Sequence, residues 1–207
     1  MSAGGAGLPA ALPARAFVLG GQGAGKSTLA RLCRAHRHVD DRPGLSPPLS
    51  AHLVDPLHGS WAIELAFFEV PAWWTLEDFR RSAPAGPADC ALLVVDVGSQ
   101  ASFDAACERA CWAKAVGIRC ISVLSVGLCV RGGQEVLLED LEGLASQVSF
   151  VQPAYFDVGV GACQALQLSL FLDTLAVRLA WLCWEEGASA ERPADGAAAD
   201  APHDAHG

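Results

Sequence analysis

Between an apolar run, Ala16-Phe-Val-Leu19, and a segment with helical apolar spacing, STLARLCRAH, the chain carries Gly20-Gly-Gln-Gly-Ala-Gly25-Lys26-Ser27. This is a complete GxxxxGK[ST] pattern in the strand–turn–helix setting that its mechanism requires. Glycines let backbone N–H groups turn inward around an anion, and the positive end of the new helix points at the same place. Candidate nucleotide-binding residues are therefore Gly20, Gly21, Gln22, Gly23, Ala24, Gly25, Lys26, Ser27 and Thr28. Lys26 is expected to reach the β and γ phosphates, and the Ser27 hydroxyl to ligate Mg²⁺.

At this chain's glycine, lysine and hydroxyl content the pattern would arise by accident in roughly one such chain in 600. Lysine is otherwise almost unused: Lys26 and Lys114 are the only two among the 14 basic residues. A compact ammonium suits a phosphate as a point charge, where arginine offers a planar fork.

The remainder of the chain fits an α/β protein. Short apolar runs predict strands at 16–20, 51–57, 61–70, 90–96, 119–126 and 150–157, alternating with predicted helices at 26–37, 75–82, 102–116, 134–147 and 162–186. The second and third runs are separated only by His58-Gly59-Ser60, too short for a crossover helix, so they must form an antiparallel hairpin at one edge of a mostly parallel sheet. Residues 1–14 and the Ala-rich acidic stretch 187–207 lack apolar periodicity and are expected to be disordered, leaving one domain over 15–186.

Composition narrows the function classes. A net charge of −9 over 207 residues opposes nucleic-acid or anionic-membrane binding by bulk electrostatics. The eight cysteines include no CxxC pair and lie mostly in apolar runs, as expected of buried thiols in a reducing compartment. Gln164, Gln167, Asp173 and Arg178 interrupt the longest apolar run, 162–184, too often for a membrane span. With no basic stretch before Arg15 and no cysteine beside His206-Gly207, neither a signal peptide nor a lipid anchor is expected, and the chain reads as cytoplasmic.

Over roughly residues 15–186 the chain resembles the Ras/Rab small GTPases. VLGGQGAGKSTLARL resembles their first strand, loop and helix, Trp61-Ala-Ile-Glu-Leu-Ala-Phe-Phe-Glu69 their third strand, and Ala91-Leu-Leu-Val-Val-Asp96-Val-Gly-Ser-Gln-Ala-Ser-Phe103 their fourth strand and the turn after it. The resemblance implies a P-loop NTPase fold: a six-stranded sheet in the order 2-3-1-4-5-6 with one antiparallel edge strand, flanked by about five helices, holding GTP or GDP with Mg²⁺. The segments IELAFFEVPA and SFDAACERACWAKAVGI, with the missing lipid-acceptor cysteines, are most similar to a Rab-like subunit of the intraflagellar transport complex. That likeness implies a cytoplasmic or ciliary protein working with protein partners inside a larger assembly.

The departures from the pattern imply a degenerate site. The family's DxxG falls on Glu69-Val-Pro-Ala72, which keeps a carboxylate one methylene too long and implies a supporting role for Glu69 toward Mg²⁺ through water. The glutamine that orients the attacking water is replaced by Trp73, which cannot position water. Gln22 stands where the Ras group prefers glycine and is expected to crowd the γ phosphate. The base-reading NKxD corresponds to Ser125-Val-Gly-Leu-Cys-Val-Arg131, without a carboxylate for guanine; the SAK segment corresponds to Val158-Gly-Val-Gly161, and the switch I threonine has only Ser46 or Ser50 as substitutes. The expectation is an atypical GTP-binding protein with weak or absent hydrolysis, of uncertain purine preference, acting as a subunit or adaptor.

Other features compete with or extend this reading. Asp96, after CALLVV, is either a Walker B carboxylate of an ATPase or nucleotide kinase, or simply the end of a buried strand; a nucleotide-free scaffold is a third alternative. On the last helix, Leu168, Leu172, Leu175, Leu179 and Leu182 form one stripe, and Leu166, Leu170, Val177, Trp181 and Trp184 a second stripe on the other side. One stripe must face the sheet. The second, together with Trp73 and Trp74, is the candidate partner interface.

Overall fold

The computed structural model describes residues 12–36, 49–55, 59–82, 86, 89–126, 133, 135–148, 155–158 and 164–190. In chain order they form β1 (Leu12–Leu19), α1 (Lys26–His36), β2 (Leu49–Asp55), β3 (Gly59–Glu69), α2 (Leu76–Ser82), β4 (Cys90–Asp96), α3 (Gln100–Ala115), β5 (Cys120–Val126), α4 (Leu138–Val148), β6 (Tyr155–Val158) and α5 (Gln164–Ala190). The strands make one sheet in the order β2-β3-β1-β4-β5-β6. Only β2 runs antiparallel to its neighbour, pairing with β3 from Leu49↔Leu65 to Asp55↔Gly59. This is the order and the reversed edge strand that the sequence led us to expect.

Strict alternation along the central strands explains why helices cover both faces of the sheet. Ala16 and Val18 of β1, Leu92 and Val94 of β4, and Leu124 of β5 pack with α1 and the α5 residues Leu168, Phe171, Leu172, Leu175 and Leu179. The intervening residues Phe17, Leu19, Leu93, Val95, Ile121 and Val123 pack with Phe79 of α2, Ala106, Ala110 and Ala113 of α3, and Leu141 and Leu144 of α4. The central strands β1, β4 and β5 are apolar on both sides because each side meets a helix layer.

Several expected boundaries move. β1 starts at Leu12, inside the stretch expected to be a disordered tail, because its backbone pairs in parallel with β3 from Leu12↔Ile63 onward. Pro13 is tolerated there since the ladder to β4 begins only at Ala16, so that end of β1 has a single neighbour strand. β2 ends at Asp55 and β3 begins at Gly59, two residues earlier than expected in each case, since Pro56 cannot donate to a ladder. α4 starts at Leu138, four residues later than expected, because the N–H groups of Glu135 and Val136 both donate to the Val97 carbonyl and hold that segment as a loop. α5 continues through Ala190, past the expected end at 186, over Gly187-Ala188-Ser189-Ala190, of which only the two alanines are strong helix formers. β6 is seen at 155–158; the earlier part of the expected strand, 150–154, lies outside the described residues.

A polar clamp that the sequence reading missed ties β4 to β1. The buried carboxylate of Asp89 accepts hydrogen bonds from the Arg15 N–H, from Arg15 Nε at 3.0 Å, from Arg15 Nη2 and from the Gly86 N–H at 2.7 Å. Arg15 also lies over the Phe17 ring, and its guanidinium is held above its ordinary pKa by the bonds to Asp89. Asp89→Ala leaves the inner end of that network without an acceptor. It is expected to cost about 3 kcal/mol, a fall in Tm of roughly 6–12 °C in thermal unfolding, with the secondary structure at 20 °C unchanged.

Candidate functional site

β1 ends where the glycine loop begins, and the loop's conformation is one that few residue types can adopt. Gly20 has φ +153°, and a Cβ there would stand 2.6 Å from the Val94 carbonyl oxygen of β4. Gly23 and Gly25 have φ of +78° and +92°, the left-handed region that glycine enters without strain. α1 then starts at Lys26, so the first N–H groups of the helix, without intrahelical acceptors, open toward the loop. Ala24, Leu29, Ala30 and Cys33 anchor the loop and helix in the core. Gln22, Gly23, Ser27 and Thr28 are exposed, and Gly21 and Gly25 are half-buried.

Lys26 is a buried lysine. Its ammonium donates to the Gly20 carbonyl at 3.0 Å and to the Gly21 carbonyl at 2.7 Å, bracing the loop from within. An ammonium has three donors, so one remains for an anion held by the loop. Burial lowers the pKa of Lys26; the charge of Glu69 partly restores it and that of Arg109 lowers it further. A lysine held in this way has lost hydration that a phosphate oxygen would replace.

Ser27 Oγ donates to Glu69 Oε1 at 2.7 Å, across 42 residues of chain. Glu69 closes β3, and the Val70 N–H donates to the Val18 carbonyl, so the end of β3 is fixed beside the end of β1 and below the first turn of α1. The two residues that the sequence nominated for Mg²⁺ therefore meet. Asp96, the other candidate carboxylate, is engaged elsewhere: its Oδ1 accepts the Gly98 N–H at 3.0 Å and its carbonyl accepts the Ser99 N–H, which together make the turn into α3. The Asp96 N–H donates to the Ser102 hydroxyl, tightening the same turn. The local geometry is that of a strand end.

No family model matches the chain, and no curated protein is significantly similar to it.

One residue of the site was not anticipated. Arg109, buried on α3, donates through Nη1 to the Trp74 carbonyl at 3.0 Å and through Nη2 to the Ala72 carbonyl at 2.8 Å. Its guanidinium carbon lies 3.5 Å from the centroid of Trp112, one helical turn on. Burial lowers the pKa of Arg109. A sequence signal existed: in SFDAACERACWAKA, Arg109 falls at helical spacing among Ala106, Ala110 and Ala113, all buried, where a solvent-facing arginine would not be expected.

Arg109 fixes the segment that follows β3, and it separates the two neighbouring tryptophans. Trp73 is 82% exposed, while Trp74 is half-buried and packs against the α2/α3 side of the core. Trp74 is thus partly taken up by the core, while Trp73 keeps an accessible ring. On α5 the stripe Leu168, Leu172, Leu175, Leu179 and Leu182 faces the core, joined by Phe171 and Ala176. Of the second stripe, Leu170, Val177 and Trp181 are 62%, 55% and 42% exposed, and the side chains of Leu166 and Trp184 lie outside the described ones. Ser50 lies in β2, whereas Ser46, 127–132 and 159–163 are outside the described residues, which removes most of the expected base-reading segments from view.

Arg109→Ala should release the Ala72 and Trp74 carbonyls together. Expected are faster amide exchange across 70–75, new proteolytic cleavage near Trp73, and a loss of about 2 kcal/mol in stability. Arg109→Lys should not restore protection, since one ammonium cannot span both carbonyls and stack on Trp112 as the planar fork does.

Proposed function

We propose that this chain is a degenerate, Ras/Rab-like P-loop protein that holds a purine nucleotide with Mg²⁺, turns it over slowly or not at all, and serves as a subunit or adaptor. The observation that carries the reading is the buried Lys26 ammonium inside a left-handed glycine loop at the N-terminus of α1, with Ser27 and Glu69 meeting at its mouth. The strand order and the reversed edge strand support the finer assignment to the Ras-like branch of P-loop folds.

The residues fit the implied ligand. Backbone N–H groups of the loop and the first turn of α1 would hold the β phosphate, Lys26 would neutralise the phosphate charge, and Ser27 and Glu69 would hold the cation. Bound Mg²⁺ would offset phosphate charge and fix the phosphate chain against the loop. At the position where the resemblance puts the water-orienting glutamine, the chain carries Trp73. Trp73 has no suitable donor–acceptor pair, and Arg109 keeps its segment anchored with that ring turned outward. Binding without efficient turnover follows.

The adaptor role rests on α5. Leu170, Val177 and Trp181 fall within about 40° of one another around the helix at 100° per residue, and all are exposed. A soluble partner or assembly that covers this stripe would explain why α5 is apolar on two sides. No described helix is long and apolar enough to cross a membrane. By its resemblance, an assembly of the intraflagellar transport kind, in cytoplasm or cilium, is the setting proposed.

Denaturing the purified protein and identifying the released small molecules tests nucleotide binding directly. Calorimetry should give affinities for GTP and ATP within roughly tenfold of one another, about 1.4 kcal/mol, because phosphate contacts dominate, and Lys26→Ala should abolish both. A preference of several hundredfold for GTP would mean that the chain reads guanine after all. Single-turnover hydrolysis should run at or below about 10⁻⁴ s⁻¹.

The surface on α5 is tested separately. Sedimentation of the isolated protein should show concentration-dependent self-association that Val177→Glu with Trp181→Glu suppresses, with an unchanged circular dichroism spectrum. Unfolding of that double variant would place the stripe in the core instead.

A further inference from the structure

The contact between Ser27 and Glu69 says more about the cation than the motif does. Both side chains are exposed at the mouth of the loop, and their oxygens are 2.7 Å apart. An octahedral Mg²⁺ with oxygen ligands at 2.0–2.1 Å places adjacent ligands about 2.9 Å from each other. The two oxygens are thus already separated by nearly the edge of such an octahedron. Rotating the Ser27 hydroxyl proton away from Glu69 would turn a lone pair of each oxygen toward one shared point.

Charge favours the same use. Lys26 directs two hydrogen bonds at the Gly20 and Gly21 carbonyls, and among the described residues Glu69 forms no ion pair. Its carboxylate is therefore available to a divalent cation. Side-chain length then decides how it is used, because an aspartate at this position would stop about 1.5 Å short and need a water molecule to bridge the gap.

We propose that Glu69 ligates the divalent cation of the phosphate loop directly, adjacent to Ser27 Oγ, in place of holding it through water. The inference rests on the nucleotide reading above and deepens it. The extra methylene, which looks like decay in the sequence, compensates for a distance: it carries the carboxylate from the end of β3 to the first turn of α1.

The test uses Mn²⁺ as the spectroscopic probe on the full chain with GDP, and with ADP in parallel. Titration followed by electron paramagnetic resonance gives the Mn²⁺ affinity of the nucleotide complex, and line broadening in ¹⁷O-labelled water counts the waters on the metal. Glu69→Gln should weaken Mn²⁺ binding at least tenfold, while nucleotide binding in EDTA becomes no weaker, which also serves as the control for folding. Glu69→Asp should keep more of the affinity and gain one metal-bound water.

Three results overturn the proposal. Unchanged Mn²⁺ affinity in Glu69→Gln means that the carboxylate is a bystander. Tighter Mn²⁺ binding in that variant means that the Ser27–Glu69 bond blocks the cation site. An unchanged water count in Glu69→Asp means that the native carboxylate already acts through water. If the wild-type chain binds nucleotide and any of these is found, direct ligation alone fails; if it binds no nucleotide with or without metal, both readings fail together.

Discussion

The close approach of Gly20 to the Val94 carbonyl is the constraint on which the site depends. β1 and β4 pair in parallel up to Leu19↔Leu93, and the chain must then leave the sheet immediately beside a neighbouring backbone. A side chain at residue 20 would collide with that carbonyl, so glycine alone permits the exit. From that exit follow the left-handed turns at Gly23 and Gly25, the start of α1 at Lys26, and the enclosure of the lysine between its own loop carbonyls. The parallel sheet and the glycine loop are in this sense one structure: the sheet sets where the strand ends, and the loop uses the gap above it.

Around that fixed centre the polar contacts are arranged by element ends. Glu69 is carried by the end of β3, Asp96 by the end of β4, and Ser27 by the start of α1. Asp96 is absorbed into a turn, whereas Glu69 crosses to Ser27. Arg109 supplies the rigidity behind them. By taking two carbonyls of the segment after β3 and stacking on Trp112, it satisfies backbone groups that a loop without regular structure would otherwise have to offer to water. The consequence is a segment whose accessible feature is Trp73.

The apolar surface has a simple physical origin. The leucine stripe of α5 must be buried for the sheet to be covered, and Leu168, Phe171, Leu172, Leu175, Leu179 and Leu182 do this. Nothing in that requirement calls for Leu170, Val177 or Trp181 on the outward side, where polar residues would be at least as stable. Leu170, Val177 and Trp181 thus give α5 apolar surface beyond what covering the sheet requires.

Much of the architecture was legible from local pattern alone. Apolar runs of strand length, separated by helical spacing, identified the α/β class, and a three-residue gap with no room for a crossover required the antiparallel hairpin. The glycine loop was legible because its glycines, lysine and serine are constrained by neighbours in sequence. Contacts between distant segments were not. Whether Glu69 is a decayed residue or a reaching one depends on the separation between the end of β3 and the first turn of α1. The same holds for Asp89 with Arg15, and for Arg109 with the carbonyls of residues 72 and 74, 35 to 37 positions away. The split of Trp73 from Trp74 was equally hidden, since adjacent identical residues differ only in which one the turn directs at the core. Sequence determined the elements and the loop because propensity, periodicity and glycine's conformational freedom act over a few residues. Tertiary structure decided which carboxylate meets the serine and which tryptophan meets solvent, because those outcomes depend on distances set only when the sheet is assembled.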